Sequence, residues 1–104
     1  MRSEELTKRD DMVIRRHILE PGETTPWHID ACHRFSVLVQ GSGLTLEFRD
    51  SGERVPIEAY PGLTGWDAPE SRVHRAINTG PTTYEEVIVF LLDRPGLEPQ
   101  PEQR

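Results

Sequence analysis

The sequence has one cysteine, Cys32, among its 104 residues, which excludes an internal disulfide. No apolar run approaches the roughly 20 residues that a membrane-spanning helix needs, so we expect no membrane partner. Residues 1–11 are polar and lack the apolar core of a signal peptide, which leads us to expect a cytoplasmic protein. Basic residues are also few. Twelve Lys and Arg against 18 Asp and Glu give a net charge of −6, which argues against a nucleic-acid partner.

The length indicates one folded domain. We expect a polar N-terminal arm over residues 1–11, either frayed or in a short helix, and a single domain over residues 12–93. Residues 94–104 are expected to form a proline-rich tail. No amphipathic helix is evident after residue 11, and no internal repeat is present.

The domain consists of short stretches rich in β-branched or alternating apolar residues, separated by Gly or Pro turns. Extended segments are predicted over Met12–Leu19, Thr24–Asp30, Arg34–Gln40, Leu44–Arg49, Val55–Ala59, Arg72–Asn78 and Tyr84–Leu92. Residues 65–69 are expected to lie in a long irregular connection. Seven or eight short strands at about ten-residue spacing indicate an all-β sandwich or barrel.

The candidate site begins with His28 and Asp30, which are two residues apart. Residues at this spacing point to the same face of a strand. An imidazole nitrogen and a carboxylate oxygen would then lie side by side, and both are suitable ligands for a divalent metal.

The segment around this pair resembles the first cupin motif. That motif has Gly, five residues, His-x-His, three or four residues, Glu, six residues and Gly. The spacing from Gly22 to Gly41 matches throughout, with His28, Asp30 and Arg34 at the three central positions.

A later segment resembles the second cupin motif, which contains Pro-x-Gly-x-x-His-x-x-x-Asn. Pro69, His74 and Asn78 match, Ser71 replaces the Gly, and Gly62 precedes Pro69 by one residue too many. Residues 12–92 are thus similar to the cupin superfamily. This resemblance implies a cupin-type double-stranded β-helix, also called a jelly-roll barrel.

In that family three His and one Glu bind a divalent metal inside the barrel. At the matching positions this chain keeps His28 and His74, but it has Asp30 for one His and Arg34 for the Glu. The resemblance implies a two-His, one-carboxylate site for Fe, Mn, Ni or Zn at His28, Asp30 and His74. It would serve a metal-dependent enzyme of dioxygenase or isomerase type.

Arg34 leaves other interpretations open. If its guanidinium points inward, it cancels the charge of Asp30 and opposes a metal, so the two residues would form an ion pair and the site would hold no metal. If it bends toward the barrel mouth, the metal site survives.

An inward guanidinium flanked by His28 and His74 would also suit a carboxylate or phosphate. The protein would then bind an acidic small molecule with or without metal. Without metal it would be a non-catalytic binding or sensing protein. A barrel that serves only assembly with another protein also remains open.

Other polar residues receive structural roles. His33 should face away from the site unless a bulge turns it inward as a substitute ligand. Cys32 is expected to be a small filler, and His17 a surface or interface residue. Glu85 and Glu86 are expected to be solvated.

The aromatic and amide side chains near the motifs are also assigned. Trp27 should face outward, and Trp66 should form either a lid over the barrel mouth or a plug at its end. Asn78 is expected to hold backbone groups in a turn. Arg34–Gln40 and Tyr84–Leu92 are apolar on both faces. One face fills the barrel and the other needs cover, so we predict a homodimer.

Overall fold

The computed structural model describes residues 1–92, which form nine β-strands. They are β1 (Arg2–Lys8), β2 (Met12–Leu19), β3 (His28–Asp30), β4 (His33–Gln40), β5 (Gly43–Phe48), β6 (Arg54–Glu58), β7 (Thr64–Asp67), β8 (Glu70–Ile77) and β9 (Tyr84–Leu91). Within residues 1–92, no helix is long and apolar enough to cross a membrane. The predicted tail over residues 94–104 and the domain's predicted last residue lie outside the described part. The all-β prediction is confirmed.

The strands form two antiparallel sheets that enclose an interior. One sheet has the strand order β1-β2-β9-β4-β7 and the other has the order β3-β8-β5-β6. Because side chains alternate along a strand, the strands that border the interior present every second residue to it. A buried apolar cluster joins the two sheets and contains Leu19, Leu38, Leu44, Ala59 and Tyr84.

The N-terminal arm is a strand, so the expectation of a frayed arm or a short helix is wrong. β1 pairs with β2 and has a bulge between Glu5 and Thr7. All seven of its residues are exposed, so it buries little apolar surface. Backbone hydrogen bonds hold it, together with ion pairs such as Glu4 with Arg16 at 3.3 Å. A uniformly polar segment carries no alternation that would predict this strand.

The connection expected over residues 65–69 is also partly a strand. β7 pairs with β4, which places Trp66 opposite Phe35 and Asp67 opposite Arg34. With four residues that include a glycine, β7 has little strand propensity of its own. Its pairing with β4 creates it, and this pairing brings Asp67 beside the candidate site.

Backbone hydrogen bonds tie the two sequence motifs together. Gly22 N–H donates to Asn78 O at 2.8 Å, and Asn78 N–H donates to Glu23 O at 3.0 Å. Thr25 N–H donates to Ala76 O at 2.9 Å. Gly22 has φ +83°, a backbone conformation that favours glycine. This pairing continues into β3 and β8 and sets the candidate ligands of the two motifs side by side.

The Asn78 side chain lies where the two sequence motifs pair and is only 1% exposed. Its Nδ2 donates to the carbonyls of Leu19 and Thr82, and its Oδ1 accepts from Gly80 N–H at 3.0 Å. Asn78 therefore holds backbone groups, as the sequence predicted, and takes no part in the cavity.

Candidate functional site

Two histidines from neighbouring strands face each other inside the barrel. His28 on β3 lies directly opposite His74 on β8, and their ring centroids are 4.6 Å apart. Nδ1 of His28 lies 2.7 Å from the Pro26 carbonyl, and Nδ1 of His74 lies 2.8 Å from the Arg72 carbonyl. Because a carbonyl only accepts, each Nδ1 carries a proton and donates it. The Nε2 atoms of both rings are thereby turned toward Asp30.

Asp30 lies on the same face of β3 as His28, as the spacing predicted. Its Oδ1 is 3.4 Å from His28 Nε2, and its Oδ2 is 2.7 Å from His74 Nε2. The three side chains are buried, and their candidate ligand atoms all lie within 4.8 Å of one another. The structure thus brings together the three residues for which a metal site was proposed.

Arg34 points into the same cluster. Its Nη1 lies 2.7 Å from Asp30 Oδ2, its Nη2 lies 4.0 Å from Asp67 Oδ2, and its side chain is 17% exposed. Its Nε is buried without a hydrogen-bond partner. The alternative in which Arg34 bends away toward the mouth is therefore wrong, and the Asp30–Arg34 ion pair is present.

The cluster shifts the pKa values of two of its members. Burial alone would raise the pKa of Asp30, but the hydrogen bonds with His28 and His74 and the charge of Arg34 outweigh burial and hold this pKa far below its usual range. Burial alone would lower the pKa of His74, but its bonds to Asp30 and to the Arg72 carbonyl raise it overall. Since Nδ1 of His74 already donates to a carbonyl, a second ring proton on Nε2 would be donated to Asp30 across the 2.7 Å contact. The raised pKa of His74 favours this protonated form beside Asp30.

The cluster borders a cavity of about 300 Å³ between the two sheets. This volume is at the lower end of the range of small-molecule sites. Most of the lining is apolar, and it includes Leu38, Leu44, Leu46, Ile57, Leu63 and Ile88. The cavity thus offers a small organic molecule both an apolar wall and a charged group.

Two polar residues in this cavity were misassigned from the sequence. His17, expected at the surface, is 3% exposed and lines the cavity. Glu86, expected in solvent, is half-buried and lines it as well. The alternation of side chains along a strand predicts both positions, because His17 lies on the same face of β2 as the buried Leu19, and Glu86 lies on the same face of β9 as the buried Ile88.

The remaining candidates, Cys32 and His33, are not among the candidate metal ligands. Cys32 is half-buried and lines a second cavity of about 400 Å³, and burial raises the pKa of its thiol. A thiol with a raised pKa is a poor nucleophile, which agrees with a filler role. His33 does not line the first cavity and does not join the ligand group, so it does not replace a ligand.

The two tryptophans lie outside the cavity. The Arg75 guanidinium stacks 4.4 Å over the Trp27 ring, away from the pocket as expected. Trp66 is 56% exposed and does not line the cavity, whereas its neighbours Gly65 and Asp67 do. Both roles expected for Trp66, lid and plug, are therefore wrong.

No protein-family model matches the sequence, and no curated protein matches it significantly. Solved structures do match. A cupin domain from Bordetella pertussis Tohama I has a TM-score of 0.75 at 20% identity, over 86% of this chain and 90% of that chain. An RmlC-like cupin with a double-stranded β-helix fold from Methanocaldococcus jannaschii has a TM-score of 0.67 at 21% identity, over 86% of this chain and 77% of that chain.

An enzyme is also among the similar structures. The polyketide cyclase RemF from Streptomyces resistomycificus has a TM-score of 0.65 at 18% identity, over 95% of this chain and 66% of that chain. Likeness at these identities establishes the fold. The fold predicted from the two motifs, a cupin-type double-stranded β-helix, is confirmed. Because one fold hosts many chemistries, the function has to be argued from the site itself.

Proposed function

We propose that this protein binds a small anionic molecule inside the barrel, with the Arg34 guanidinium as the anion-binding group. The position of Arg34 carries the proposal. Asp30 engages Nη1 at 2.7 Å, whereas Nη2 lies 4.0 Å from Asp67, which is too far for a hydrogen bond. Nη2 is therefore available to a carboxylate or phosphate of the ligand, which guanidinium groups bind well.

The charge balance of the cluster also favours an anion. Arg34 is always charged, the pKa of Asp30 is lowered, and the contact with Asp30 raises the pKa of His74 and so favours its protonated ring. Arg34 and His74 both contact the buried carboxylate of Asp30, whereas the Asp67 carboxylate, 4.0 Å from Arg34 Nη2, is 59% exposed to water. Water screens the exposed Asp67 more than the buried groups, so the buried cationic groups attract an anion inside the cavity more strongly than they would in water.

The size and apolar wall of the cavity indicate a small organic acid rather than an inorganic ion alone. Its volume is about 300 Å³, seven of its lining residues are aliphatic, and most of its lining surface is apolar. The similarity to RemF, which is a polyketide cyclase, is consistent with a barrel of this shape binding an organic molecule in its interior.

Calorimetric titration with short alkanoates and with inorganic phosphate tests the proposal. Wild-type protein is expected to bind alkanoates, and the Arg34→Gln variant should bind them roughly ten- to a hundredfold more weakly, as for the loss of a charged hydrogen bond. Arg54→Gln is the matched control, because Arg54 is exposed and pairs with Glu47 at 3.0 Å away from the cavity. Equal binding by Arg34→Gln and wild type would refute the role of Arg34.

A metal-dependent enzyme is a second candidate, and the anchoring of the histidines favours it. Both Nδ1 atoms donate to carbonyls, which is how metal-binding histidines are commonly oriented. His28, Asp30 and His74 fit a divalent metal as a two-nitrogen, one-oxygen donor set. A bound metal would act there as a Lewis acid or, if iron, in redox chemistry. Arg34 would orient the anionic substrate.

The two candidates differ in their need for metal. The ion pair of Asp30 with Arg34 opposes a further cation at the same carboxylate, and this favours anion binding without metal. Elemental analysis of the purified protein, followed by titration with Zn²⁺, Mn²⁺, Ni²⁺ and Fe²⁺, separates them. Metal that co-purifies at one equivalent would favour the enzyme, whereas no binding at micromolar concentration would eliminate it.

A further inference from the structure

The cavity contains a second group of polar residues at a distance from Arg34. His17 on β2 lies directly opposite Glu86 on β9, and both side chains line the cavity. Tyr84, two residues before Glu86, also lines it and donates from its hydroxyl to Glu86 Oε2 at 3.2 Å. None of these residues belongs to the cluster of His28, Asp30, His74 and Arg34.

Strand register gives the separation of the two polar groups. Arg34 lies opposite Phe90, whereas Glu86 lies opposite Leu38. Four residues along β9 correspond to roughly 13 Å of strand. Between these levels the cavity is bordered by Ile88 of β9 and Ser36 of β4. A cationic end at Arg34 and an acidic end at Glu86 are thus separated along the strands, in a cavity whose lining surface is mostly apolar.

The acidic end is held in place by close packing. Tyr84 is 6% exposed, and a Cβ at Gly41 would lie 2.9 Å from Tyr84 Cδ2. Gly41 also has φ +127°, so glycine is required there on two grounds. Because its hydroxyl hydrogen points to Glu86, Tyr84 orients this carboxylate within the cavity.

We infer that the anionic ligand is bifunctional, with a hydrogen-bond-donating group, such as an ammonium, at the end remote from its anion, and that Glu86 binds this group. This inference rests on the proposed function, because Arg34 must hold the anionic end. A carboxylate only accepts hydrogen bonds, so it selects a donor, and a cationic donor most strongly. The ligand class that fits is therefore an amino acid whose amine and carboxylate lie at opposite ends of a short aliphatic chain.

A matched series of compounds tests the inference by calorimetry. Aminobutanoate, aminopentanoate and aminohexanoate, each with a terminal amine, are compared with butanoate, pentanoate and hexanoate. Wild-type protein should bind at least one amino compound roughly tenfold more tightly than its matched alkanoate, as for one charge-assisted hydrogen bond. Glu86→Gln should abolish this preference while the alkanoates still bind.

The neighbouring Glu85 provides the control. Its side chain accepts from Gln40 and pairs with Arg16 outside the cavity, so Glu85→Gln should keep the preference. Circular dichroism and thermal melting establish that both variants are folded.

The outcomes separate this inference from the proposed function. If alkanoates bind through Arg34 and the terminal amine brings no gain, the inference is wrong and the proposed function stands. A preference that survives in a folded Glu86→Gln variant also overturns the inference. If neither series binds at millimolar concentration, the inference and the proposed function both fail.

Discussion

Replacing Arg34 by glutamine should change anion binding and metal binding in opposite directions. Arg34 Nη1 is 2.7 Å from Asp30 Oδ2, so a cation that shares this carboxylate would lie within roughly 5 Å of the guanidinium. At an effective dielectric constant near 20, the repulsion is about 3 kcal/mol per unit charge, or about 7 kcal/mol for a divalent ion.

The full repulsion corresponds to roughly a 10⁵-fold change in metal affinity. Because the Arg34 side chain is 17% exposed, water screens part of it. We therefore expect Arg34→Gln to gain at least about a hundredfold in affinity for Zn²⁺. Arg34→Glu should gain more, because it also adds a carboxylate beside the other donors.

Competition with a chromophoric chelator measures the affinity for Zn²⁺ and Mn²⁺ in wild type, Arg34→Gln and Arg34→Glu. Arg54→Gln carries the same change of net charge as Arg34→Gln at a side chain that is 58% exposed, so it controls for general electrostatics. If Arg34→Gln and wild type agree within about threefold, the repulsion argument fails. A parallel gain in Arg54→Gln would also show that long-range charge, and not the cluster, governs metal affinity.

Four further predictions follow from the fold and the cluster. Asp30→Asn should destabilise the protein by about 3–5 kcal/mol in urea unfolding, because Arg34 and His74 lose the buried carboxylate that both contact at 2.7 Å; a loss below about 1 kcal/mol would contradict this. Asn78→Ala should cost about 2–4 kcal/mol in the same assay, since three backbone groups lose their partner. The lowered pKa of Asp30 stabilises the metal-free fold fully above the unfolded pKa of about 3.9, and this contribution falls as the pH drops below that value. The raised pKa of His74 stabilises the fold below the unfolded pKa of about 6.5, and this contribution is lost as the pH rises. The free energy of unfolding measured against pH should therefore peak between these two values. The predicted homodimer would cover the half-exposed outer face of β4 and β9. Light scattering should detect it, Phe35→Lys should shift it toward monomer, and a monomeric wild type would refute it.

Much of the fold could be predicted from the sequence because strand propensity, apolar patterning and turn residues indicated the same strands. β2 matches the predicted bounds Met12–Leu19, and β4 and β9 differ from theirs by one residue. These strands carry β-branched and apolar residues whose preference does not depend on distant partners. The convergence of His28, Asp30 and His74 was also predictable, from the two-residue spacing and from the resemblance of the two motifs.

What the sequence did not reveal depends on contacts between distant segments. β7 exists because it pairs with β4, and β1 because it pairs with β2. The inward direction of Arg34 could not be decided in advance, since a long side chain can reach either solvent or a carboxylate. Glu86 was assigned to solvent from its charge, although alternation with Tyr84 and Ile88 placed it inside.

The backbone bonds between Gly22–Thr25 and Ala76–Asn78 have a consequence for biosynthesis. One half of the charged cluster is translated early, and its other imidazole arrives only with β8. A nascent chain on the ribosome therefore lacks a ligand-competent interior until most of the domain has emerged. Because a ligand of this cavity would stabilise only the completed barrel, its presence in the cell should protect newly made chains from proteolysis after β8 and β9 have emerged, and not before.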